Sequence, residues 1–334
     1  MQADPQILEV LVAGGFVPPG ATPALERLTG GVSSDVFRLE TPDGPVCVKR
    51  ALATLRVAAV WEAPVERSHY EVDWLRTARP FVGDAVPQVL FEDRAASLFV
   101  MNFYDPATHS VWKSDLAAGR VEPELARQVG VLLAKVHAGA AGSAEIAARF
   151  QTTDLFEDLR LAPFLRHSAL AHPDLADRLV ALADRTAAAR ITLVHGDVSP
   201  KNILHGPAGP VLLDAECAWY GDPAFDLAFC SAHLMLKCVW KPAHTQAYLA
   251  SLAALHDGYL PRVTWEPTAG LEARAVALTA AILLARVDGK SPADYLQTEA
   301  DRGFVRAAAR ELIAAPPVTM AALAADWAER RARA

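Results

Sequence analysis

The apolar positions of the first hundred residues follow two different periods. Residues 7–12 repeat at helical spacing and end at Gly14-Gly15, which predicts a short helix at the periphery of the fold. Later apolar runs are short, alternate with polar residues and are bounded by turn residues, which predicts strands. These predicted strands cover residues 25–28, 36–39, 46–49, 86–91 and 98–101.

One amphipathic helix is expected between the third and the fourth strand. Val65, Val72 and Leu75 recur at helical spacing among charged residues, and Pro64 stands where proline favours a helix N-terminus. Together these patterns predict a five-stranded antiparallel sheet with one main helix.

Beyond this region the helical period dominates. Residues 123–140 show the spacing of a core helix, residues 153–190 that of two amphipathic helices split at His172-Pro173, and residues 243–334 are mainly helical. A segment reading Asn-Phe-Tyr-Asp-Pro breaks the strand pattern just before this change. We therefore expect an α+β fold of two lobes. The N-terminal lobe, the hinge and the C-terminal lobe are expected at residues 1–101, 102–106 and 107–334.

Candidate catalytic side chains are concentrated in residues 191–230. Two short apolar runs in this stretch are each followed by an aspartate, Asp197 and Asp214, so both carboxylates are expected where short strands end. Asn202 lies between them. A carboxylate can accept a proton from a hydroxyl, while an amide oxygen and a second carboxylate can hold a hard cation. This set is the minimum for magnesium-assisted phosphoryl transfer.

Composition and charge exclude several classes of protein. The 334 residues are long enough for two lobes, and 52% of them are hydrophobic. A net charge of -7 and a pI near 5.8 argue against a nucleic-acid partner. The N-terminus lacks a signal-peptide pattern, and the charge-free apolar run at residues 275–285 is too short to span a bilayer, so we expect a buried helix and no membrane partner. Four cysteines without metal-type spacing predict reduced, buried thiols in a cytoplasmic protein.

A loop of small residues, Thr-Gly-Gly-Val-Ser-Ser at residues 29–34, lies between two predicted strands. Gly31, Ser33 and Ser34 would let backbone amides approach phosphate oxygens, and Lys49 on the neighbouring strand could reach the same anion. An ordinary hairpin turn with a solvated lysine is the alternative.

A glutamate of the predicted helix could hold Lys49 toward a phosphate group. Glu71 is preferred because it lies four residues before the apolar Leu75, on the same helix face, and Glu66 is the second choice. The alternative is that both glutamates are solvated surface charges.

The hinge is the expected place for a nucleotide base. An adenine ring between two lobes can hydrogen-bond to the backbone that connects them, so Asn102, Phe103 and Tyr104 are candidate contacts. The sequence leaves ATP and GTP open, because that choice depends on backbone groups.

Two motifs carry a resemblance to a known family. The run His-Gly-Asp-Val-Ser-Pro-Lys-Asn-Ile-Leu at residues 195–204 resembles the catalytic loop of the aminoglycoside phosphotransferase and choline kinase group of small-molecule kinases. Asp214-Ala215-Glu216 resembles the metal-binding motif of that group, and residues 221–228 resemble the segment that follows it. The resemblance implies a protein-kinase-like fold with ATP and Mg²⁺ as cofactors.

The resemblance implies a role for each residue of these motifs. Asp197 would orient the acceptor hydroxyl and accept its proton. Asn202 and Asp214 would hold Mg²⁺, with Glu216 at a second metal or hydrogen-bonded around the first. Lys49, steadied by Glu71, would hold the nucleotide phosphates.

Three further residues around the loop are given roles with alternatives. His195 is expected to shape the loop rather than to transfer protons. Lys201 either neutralises the transferred phosphoryl group or is solvated. Asp226, near the start of the next helix, is expected to accept backbone amides of the His195 loop and so to support the site.

The acceptor is expected to be a hydroxyl of a small metabolite, a neutral or acidic sugar or polyol derivative. The residues around Lys49, with Trp61 and Glu71, resemble those of methylthioribose kinases. Arg286 corresponds to a substrate segment in which those enzymes commonly carry two arginines where this chain has one. Trp219 is a candidate for an aromatic substrate wall, with core packing as the alternative.

Other classes of function stay open at this point. An aminoglycoside O-phosphotransferase would need a carboxylate-lined pocket for a polycation. A nucleotide-binding pseudokinase scaffold would commonly lack one of the four catalytic groups, all of which are present here. A protein kinase would need an activation segment, which the residues after Asp214 do not resemble. A homodimer is also left open.

Overall fold

The predicted strands pair into one sheet in the computed structural model, which describes residues 4–28, 33–54 and 64–333. The strands are β1 (Leu25–Arg27), β2 (Ser34–Thr41), β3 (Gly44–Ala51), β4 (Val89–Asp93) and β5 (Leu98–Asn102). Their order is β1-β2-β3-β5-β4, and every neighbouring pair is antiparallel. The predicted five-stranded antiparallel sheet is confirmed. Lys49 lies on the central strand β3, opposite Val36 on one side and Phe99 on the other.

The main helix of the N-terminal unit, α2 (Arg67–Val82), is also confirmed. It buries Val72, Trp74 and Leu75 and ends at Gly83, whose φ of 61° is accessible to glycine without strain. This unit extends to Thr108.

The first helix, α1 (Pro5–Ala13), belongs to the core of the same unit. Asp4 caps it, its side chain accepting the Gln6 amide at 3.0 Å. Ile7 and Leu11 are buried in one cluster with the sheet residue Val48. The prediction of a peripheral helix is therefore wrong, because its apolar stripe packs within that cluster rather than facing solvent.

The C-terminal unit, His109–Ala334, is built mainly from helices. Those before the catalytic loop are α3 (Trp112–Ala117), α4 (Pro123–Ala140), α5 (Ala144–Arg149), α6 (Thr153–Phe156), a π-helix (Glu157–Arg166), α7 (His167–Ala171) and α8 (Ala176–Ala188). Those after it are α9 (Ala224–Trp240), α10 (Thr245–Tyr259), α11 (Thr268–Asp288), α12 (Glu299–Ala314) and α13 (Met320–Arg333).

Two small antiparallel sheets position the candidate catalytic residues. One pairs β7 (Thr192–Val194) with β10 (Trp219–Gly221), and the other joins β6 (Ser110–Val111), β8 (Ile203–Gly206) and β9 (Gly209–Leu212). β7 ends directly before the loop of Asp197, and β9 ends two residues before Asp214. The prediction that both carboxylates follow short strands is confirmed.

Helix α11 contains the apolar run that the sequence predicts to be buried. The helix has 21 residues, so it is longer than that run. By length and composition alone it could cross a membrane, since its most apolar stretch has a mean hydropathy of 1.5. However, 61% of its most apolar stretch is buried within the protein, as in the core helix of a folded domain. The buried helix is confirmed.

Glycines allow α4 and α10 to approach each other closely. A Cβ atom at Gly130 would lie 2.1 Å from the Leu255 carbonyl oxygen, and one at Gly258 would lie 2.1 Å from the Arg127 carbonyl oxygen. Since any side chain would collide with backbone, both positions require glycine for this packing.

The four cysteines are free and buried, as predicted: Cys47, Cys217, Cys230 and Cys238. Burial raises the pKa of Cys47 to about 12, so its thiol stays protonated and unreactive at neutral pH.

Candidate active site

The loop that follows β7 makes a sharp turn which its sequence permits. Gly196 has a φ of 79°, a left-handed conformation that favours glycine. A Cβ atom there would also lie 2.5 Å from the Cys217 carbonyl oxygen. The loop can therefore pack against the segment before β10 and turn toward Asp197 because residue 196 has no side chain.

Asp226 of helix α9 binds the backbone of this loop. Its carboxylate accepts the backbone amides of His195 at 2.7 Å and Gly196 at 2.8 Å, which are the hydrogen bonds expected from the sequence. His137 lies 3.3 Å from the same carboxylate and 2.7 Å from the Tyr259 hydroxyl. All these groups are buried, so the carboxylate fixes the backbone on which the loop is built.

His195 has the geometry of a neutral, structural histidine. Its Nε2 lies 3.1 Å from the Leu213 carbonyl oxygen, and its Nδ1 accepts the Asp197 amide at 3.2 Å. Burial lowers the pKa of His195, although the neighbouring Asp226 and Asp197 oppose this. The ring thus joins the catalytic loop to the strand that leads to Asp214, which supports the expectation that it shapes the loop.

Asp197 is a buried carboxylate with one occupied oxygen. Its Oδ2 lies 3.0 Å from Arg160 Nη2 and 3.2 Å from Lys201 Nζ, while the residue is 2% exposed. Across the described ranges, Oδ1 makes no hydrogen bond. The two cations therefore keep the carboxylate oriented through one oxygen, and the other oxygen is left to accept a proton.

Arg160 is a candidate site residue that the sequence reasoning missed. It lies on the π-helix and donates from Nε to the Gly196 carbonyl at 2.6 Å, in addition to its ion pair with Asp197. The guanidinium thus holds the backbone and the carboxylate of the catalytic loop at once. The sequence signal that could have found it is its position between Leu159 and Leu161. An arginine among apolar residues is a candidate for burial, and a buried arginine needs a charged or polar partner.

Lys201 is exposed at its side chain yet remains paired with Asp197. Partial desolvation lowers its pKa, but the negative charges of Asp197 and Asp214 outweigh this and raise it overall. Lys201 is therefore a protonated, positive group beside the carboxylate.

The candidate metal ligands lie around the same loop. Asn202 donates its amide to the Asp197 carbonyl at 3.1 Å, and within the described part of the chain its Oδ1 has no hydrogen-bond donor. The Leu213 amide binds the Asn202 carbonyl at 2.9 Å, which brings the two motifs together. Asp214 and Glu216 both lie close enough to Arg160 to raise its pKa.

Asp214 also has an unusual backbone. Its φ of 67° is rare for a residue with a side chain, and such conformations are concentrated at functional sites. Among residues 4–28, 33–54 and 64–333, no three His, Cys, Asp or Glu side chains form a metal-binding group. An amide oxygen with one or two carboxylates fits a hard cation such as Mg²⁺, which keeps several ligands from water or phosphate.

The N-terminal unit contains the predicted lysine and glutamate pair. Lys49 Nζ lies 2.8 Å from Glu71 Oε1 and 2.7 Å from Oε2, and both residues are buried. Glu66, the second choice, is exposed at the start of α2. The preference for Glu71 is confirmed.

The small-residue loop is described in part. Gly31 lies outside the described residues, whereas Ser33 and Ser34 are buried at the start of β2. Arg67, which the sequence reasoning left without a role, is buried and donates to the carbonyls of Ser33 and Leu52, the latter at 2.7 Å. It therefore fixes the backbone at the end of this loop by donating to two carbonyl groups.

The hinge residues differ in what they can offer a ligand. The Asn102 amide binds the Gln88 carbonyl at 3.1 Å, and its side-chain oxygen accepts the Gln88 amide at 2.6 Å. The backbone N–H of Asn102 is therefore already used in a hydrogen bond to Gln88, and its place among the candidate base contacts stays a prediction. Phe103 lies under the Arg38 guanidinium at 5.1 Å, and burial raises the pKa of Tyr104.

The two candidate substrate residues, Trp219 and Arg286, differ in their burial. Trp219 is fully buried and stacks on Phe156, with ring centroids 4.2 Å apart. The proposed aromatic wall is therefore wrong for Trp219, because its ring is inside the core. Arg286 is half-buried, bonds to the Ser291 carbonyl and to its hydroxyl at 3.1 Å, and lies within electrostatic reach of Asp197.

Known proteins are similar in sequence to this chain over roughly two thirds of its length. A methylthioribose kinase from Pectobacterium atrosepticum is 26% identical over 253 residues, which cover 67% of this chain and 62% of that protein. One from Geobacillus sp. is 26% identical over 268 residues, which cover 72% and 66%. The chain thus spans less than two thirds of the length of these curated relatives.

Solved structures share the fold at lower identity. An amicoumacin kinase in complex with AMP-PNP, Ca²⁺ and Ami superposes with a TM-score of 0.61 at 16% identity, over 95% of this chain and 96% of that one. A choline/ethanolamine kinase family protein from Mesorhizobium loti superposes with a TM-score of 0.52 at 18% identity, over 99% and 100%. The predicted fold class is confirmed.

The profile of the phosphotransferase enzyme family (APH) matches residues 24–257, which include the sheet of the N-terminal unit and the whole catalytic loop. Because this match covers most of the chain and agrees with both the resemblance and the fold, the chain belongs to the phosphotransferase enzyme family.

Proposed function

We propose that this protein is an ATP- and Mg²⁺-dependent kinase that phosphorylates a hydroxyl group of a small metabolite, a sugar or polyol derivative. The observation that carries this proposal is the state of Asp197: one carboxylate oxygen is held by Arg160 and Lys201, and the other has no partner among the described residues. A base so oriented suits proton removal from an alcohol.

The chain's own residues supply the parts of the reaction. When bound, the nucleotide supplies the γ-phosphoryl group, and the metal screens its charge. Asp197 Oδ1 would take the hydroxyl proton as the new oxygen–phosphorus bond forms and the bond to the β-phosphate oxygen breaks. Lys201 would stay protonated beside the charge that is transferred.

The remaining residues would bind the cofactors. Asn202 and Asp214 would hold the metal through oxygen atoms, with Glu216 nearby. In the N-terminal unit, Lys49 would contact the phosphates, and its bidentate pair with Glu71 would fix the ammonium position. Ser33, Ser34, Asn102, Phe103 and Tyr104 stay candidate nucleotide contacts, and Gly31 stays a prediction.

The relatives that are named methylthioribose kinases support a sugar-like acceptor. An aminoglycoside acceptor is less well supported, because a polycation would meet the positive charges of Arg160, Lys201 and Arg286 around Asp197. A cytoplasmic location, a homodimer and the absence of nucleic-acid and membrane partners stay predictions.

A phosphate-transfer screen tests the proposal. Purified protein with Mg²⁺ and ATP is incubated with sugars, polyols, amino alcohols and aminoglycosides, and phosphorylated products are identified by mass spectrometry. Asp197→Ala is expected to lower turnover by about 10²- to 10⁴-fold. Asp177→Asn, an exposed aspartate on α8, is the matched control and should leave turnover unchanged.

Three outcomes contradict this proposal. Transfer to none of the compounds, with ATP turnover unaffected by Asp197→Ala, would favour a nucleotide-binding scaffold. Transfer that is restricted to aminoglycosides would refute the sugar or polyol acceptor. Equal turnover by both variants would remove Asp197 from the mechanism.

A further inference from the structure

A buried lysine on helix α9 lies without an acidic partner. Lys237 is 1% exposed, and its Nζ lies 3.6 Å from the ring centroid of Tyr295 and 4.7 Å from that of Trp240. Within the ranges that the structure describes, no carboxylate lies at ion-pair distance. Aromatic faces compensate a buried ammonium in part, but an unpaired cation in the interior is unfavourable.

Two further donors beside Lys237 also lack acceptors. The Tyr295 hydroxyl and the Arg286 Nε are buried and have no hydrogen-bond partner among the described residues. Together with His233, one helical turn before Lys237, they form what we call the Lys237 cluster: His233, Lys237, Arg286 and Tyr295. Unsatisfied buried donors are uncommon in native proteins, so two of them beside a buried lysine are consistent with a missing acceptor.

Arg286 gives the cluster a positive charge, and Lys237 adds to that charge only in the fraction of molecules in which it is protonated. Burial, and then the positive charges of Lys113 and Arg286, lower the pKa of Lys237 to about 7. The same kind of surroundings lowers the pKa of His233 well below its usual value. Two carboxylates act on the cluster: Asp197 acts on Arg286, and Asp294, whose side chain is 78% exposed, lies 3.7 Å from Lys113.

The Lys237 cluster is connected to Asp197 through two aromatic rings. The guanidinium of Arg160, which binds Asp197, lies 5.9 Å from the ring centroid of Phe164 and 5.6 Å from that of Phe229. Arg286 lies 5.9 Å from the same Phe164 ring, and the His233 ring lies 5.1 Å from Phe229. The rings of Phe164 and Phe229 therefore lie between the cluster and Arg160, the residue that binds Asp197.

We propose that the Lys237 cluster is an anion-binding subsite for the acceptor, and that the phosphorylated hydroxyl belongs to a metabolite which also carries a carboxylate or a phosphate group. The assignment as an acceptor subsite rests on the proposed kinase function. A neutral sugar could satisfy the donors but not the charge, and a polycation would be repelled. An anionic oxygen would accept hydrogen bonds from Lys237 and Arg286, and such charge-assisted bonds are the strong ones.

The test measures binding without turnover. Isothermal titration calorimetry at pH 7, without nucleotide, compares two matched sets of probes: glycerol, glycerate and glycerol 3-phosphate, and ribose, ribonate and ribose 5-phosphate. In at least one set we expect the anionic members to bind on the order of tenfold or more tightly than the neutral one. The carboxylate and phosphate members distinguish the two sources of negative charge.

Two variants and one control assign the preference to the cluster. Lys237→Met should abolish the preference for anions, and Tyr295→Phe, which removes one hydroxyl, should weaken anion binding several-fold. Lys135→Met, an exposed lysine on α4, should keep the full preference. Lys237→Met replaces a buried amine that has no carboxylate at ion-pair distance among the described residues, so this variant is expected to keep or raise Tm. An unchanged or higher Tm shows that a lost preference for anions is not caused by misfolding.

The outcomes separate this inference from the proposed function. Equal binding of neutral and anionic probes, or a preference that survives Lys237→Met, overturns the inference. Phosphate transfer to neutral alcohols without any preference for anions would do the same and leave the kinase function standing. Preference for anions in a protein that transfers no phosphate would refute the kinase function and leave the anion site standing.

Discussion

Replacing Arg160 tests the interaction that connects the π-helix to the catalytic loop. The side chain is buried, and its guanidinium donates to the Gly196 carbonyl at 2.6 Å and to the Leu159 carbonyl at 2.8 Å. It also forms an ion pair with Asp197 Oδ2 at 3.0 Å. Arg160→Met removes all of these donors at similar length. Arg160→Lys keeps the charge but cannot reach the backbone and the carboxylate together.

The expected loss of stability follows from what remains after the substitution. Removing one partner of a buried ion pair destabilises a protein by about 3–5 kcal/mol, and a buried carbonyl without a donor costs about 1–3 kcal/mol. Lys201 still lies 3.2 Å from Asp197 Oδ2 and compensates part of the charge. We therefore expect Arg160→Met to lower the free energy of unfolding by about 3 kcal/mol, or Tm by about 4–6 °C.

A matched control exists on the same helix. Arg166 pairs with Glu157 and Asp184, but its side chain is 33% exposed, and such surface pairs contribute about 0–1 kcal/mol. Arg166→Met should therefore stay within about 1 kcal/mol of the parent protein. Urea unfolding followed by tryptophan fluorescence gives both values.

The result that refutes this reasoning is a clear one. If Arg160→Met and Arg166→Met lose the same stability, the guanidinium of Arg160 does not hold the loop. On any acceptor found by the screen, Arg160→Lys should lower kcat by about tenfold or more while Tm falls less than in Arg160→Met. An unchanged kcat in Arg160→Lys would show that Asp197 is positioned without it.

Three further perturbations address other parts of the protein. Lys49→Met removes the ammonium that lies 2.7 Å from the buried Glu71 carboxylate, so it should weaken nucleotide binding by on the order of tenfold or more and lower Tm. Unchanged affinity in a fluorescent-nucleotide titration would argue against a role for the pair. Gly258→Ala, which collides with backbone, should destabilise the fold by about 1–3 kcal/mol in urea unfolding, whereas Gly303→Ala on α12 meets nothing within 4 Å and should stabilise it by up to about 1 kcal/mol. Burial lowers the pKa of His256 to about 3, so the unfolded chain binds a proton that the folded chain excludes. Stability from this residue is thus complete above about pH 6.5 and falls by about 2 kcal/mol on acidification to pH 5. His256→Gln should remove that part of the decrease, and His167→Gln, at an exposed position, should not.

Local sequence was sufficient for the elements and for the centre of the site. Asp197, Asn202 and Asp214 lie within 18 positions of one another and directly after short strands, so their proximity follows from chain connectivity. The partnership of Lys49 and Glu71 needed one further step, the helix face shared with Leu75. In these cases the period of apolar residues decides which side chains point toward the interior.

Long-range partners were not accessible in the same way. Arg160 and Arg166 lie six positions apart on one helix, yet one binds the catalytic loop and the other lies at the surface. Trp219 was compatible with a substrate wall or a core, and the stacking on Phe156 decided for the core. The first helix likewise joined the core through contacts with strands more than thirty residues away.

The sequence by itself determined the class of the fold and located the candidate catalytic loop with its carboxylates, because periodicity and spacing act over short stretches of chain. Tertiary structure alone decided which cations surround Asp197, which hinge amide is already bonded, and that Lys237 lies buried against Tyr295 with no carboxylate at ion-pair distance among the described residues. The physical reason is that the burial and pairing of charged groups depend on contacts between distant parts of the chain, and the local pattern of apolar residues does not specify those contacts.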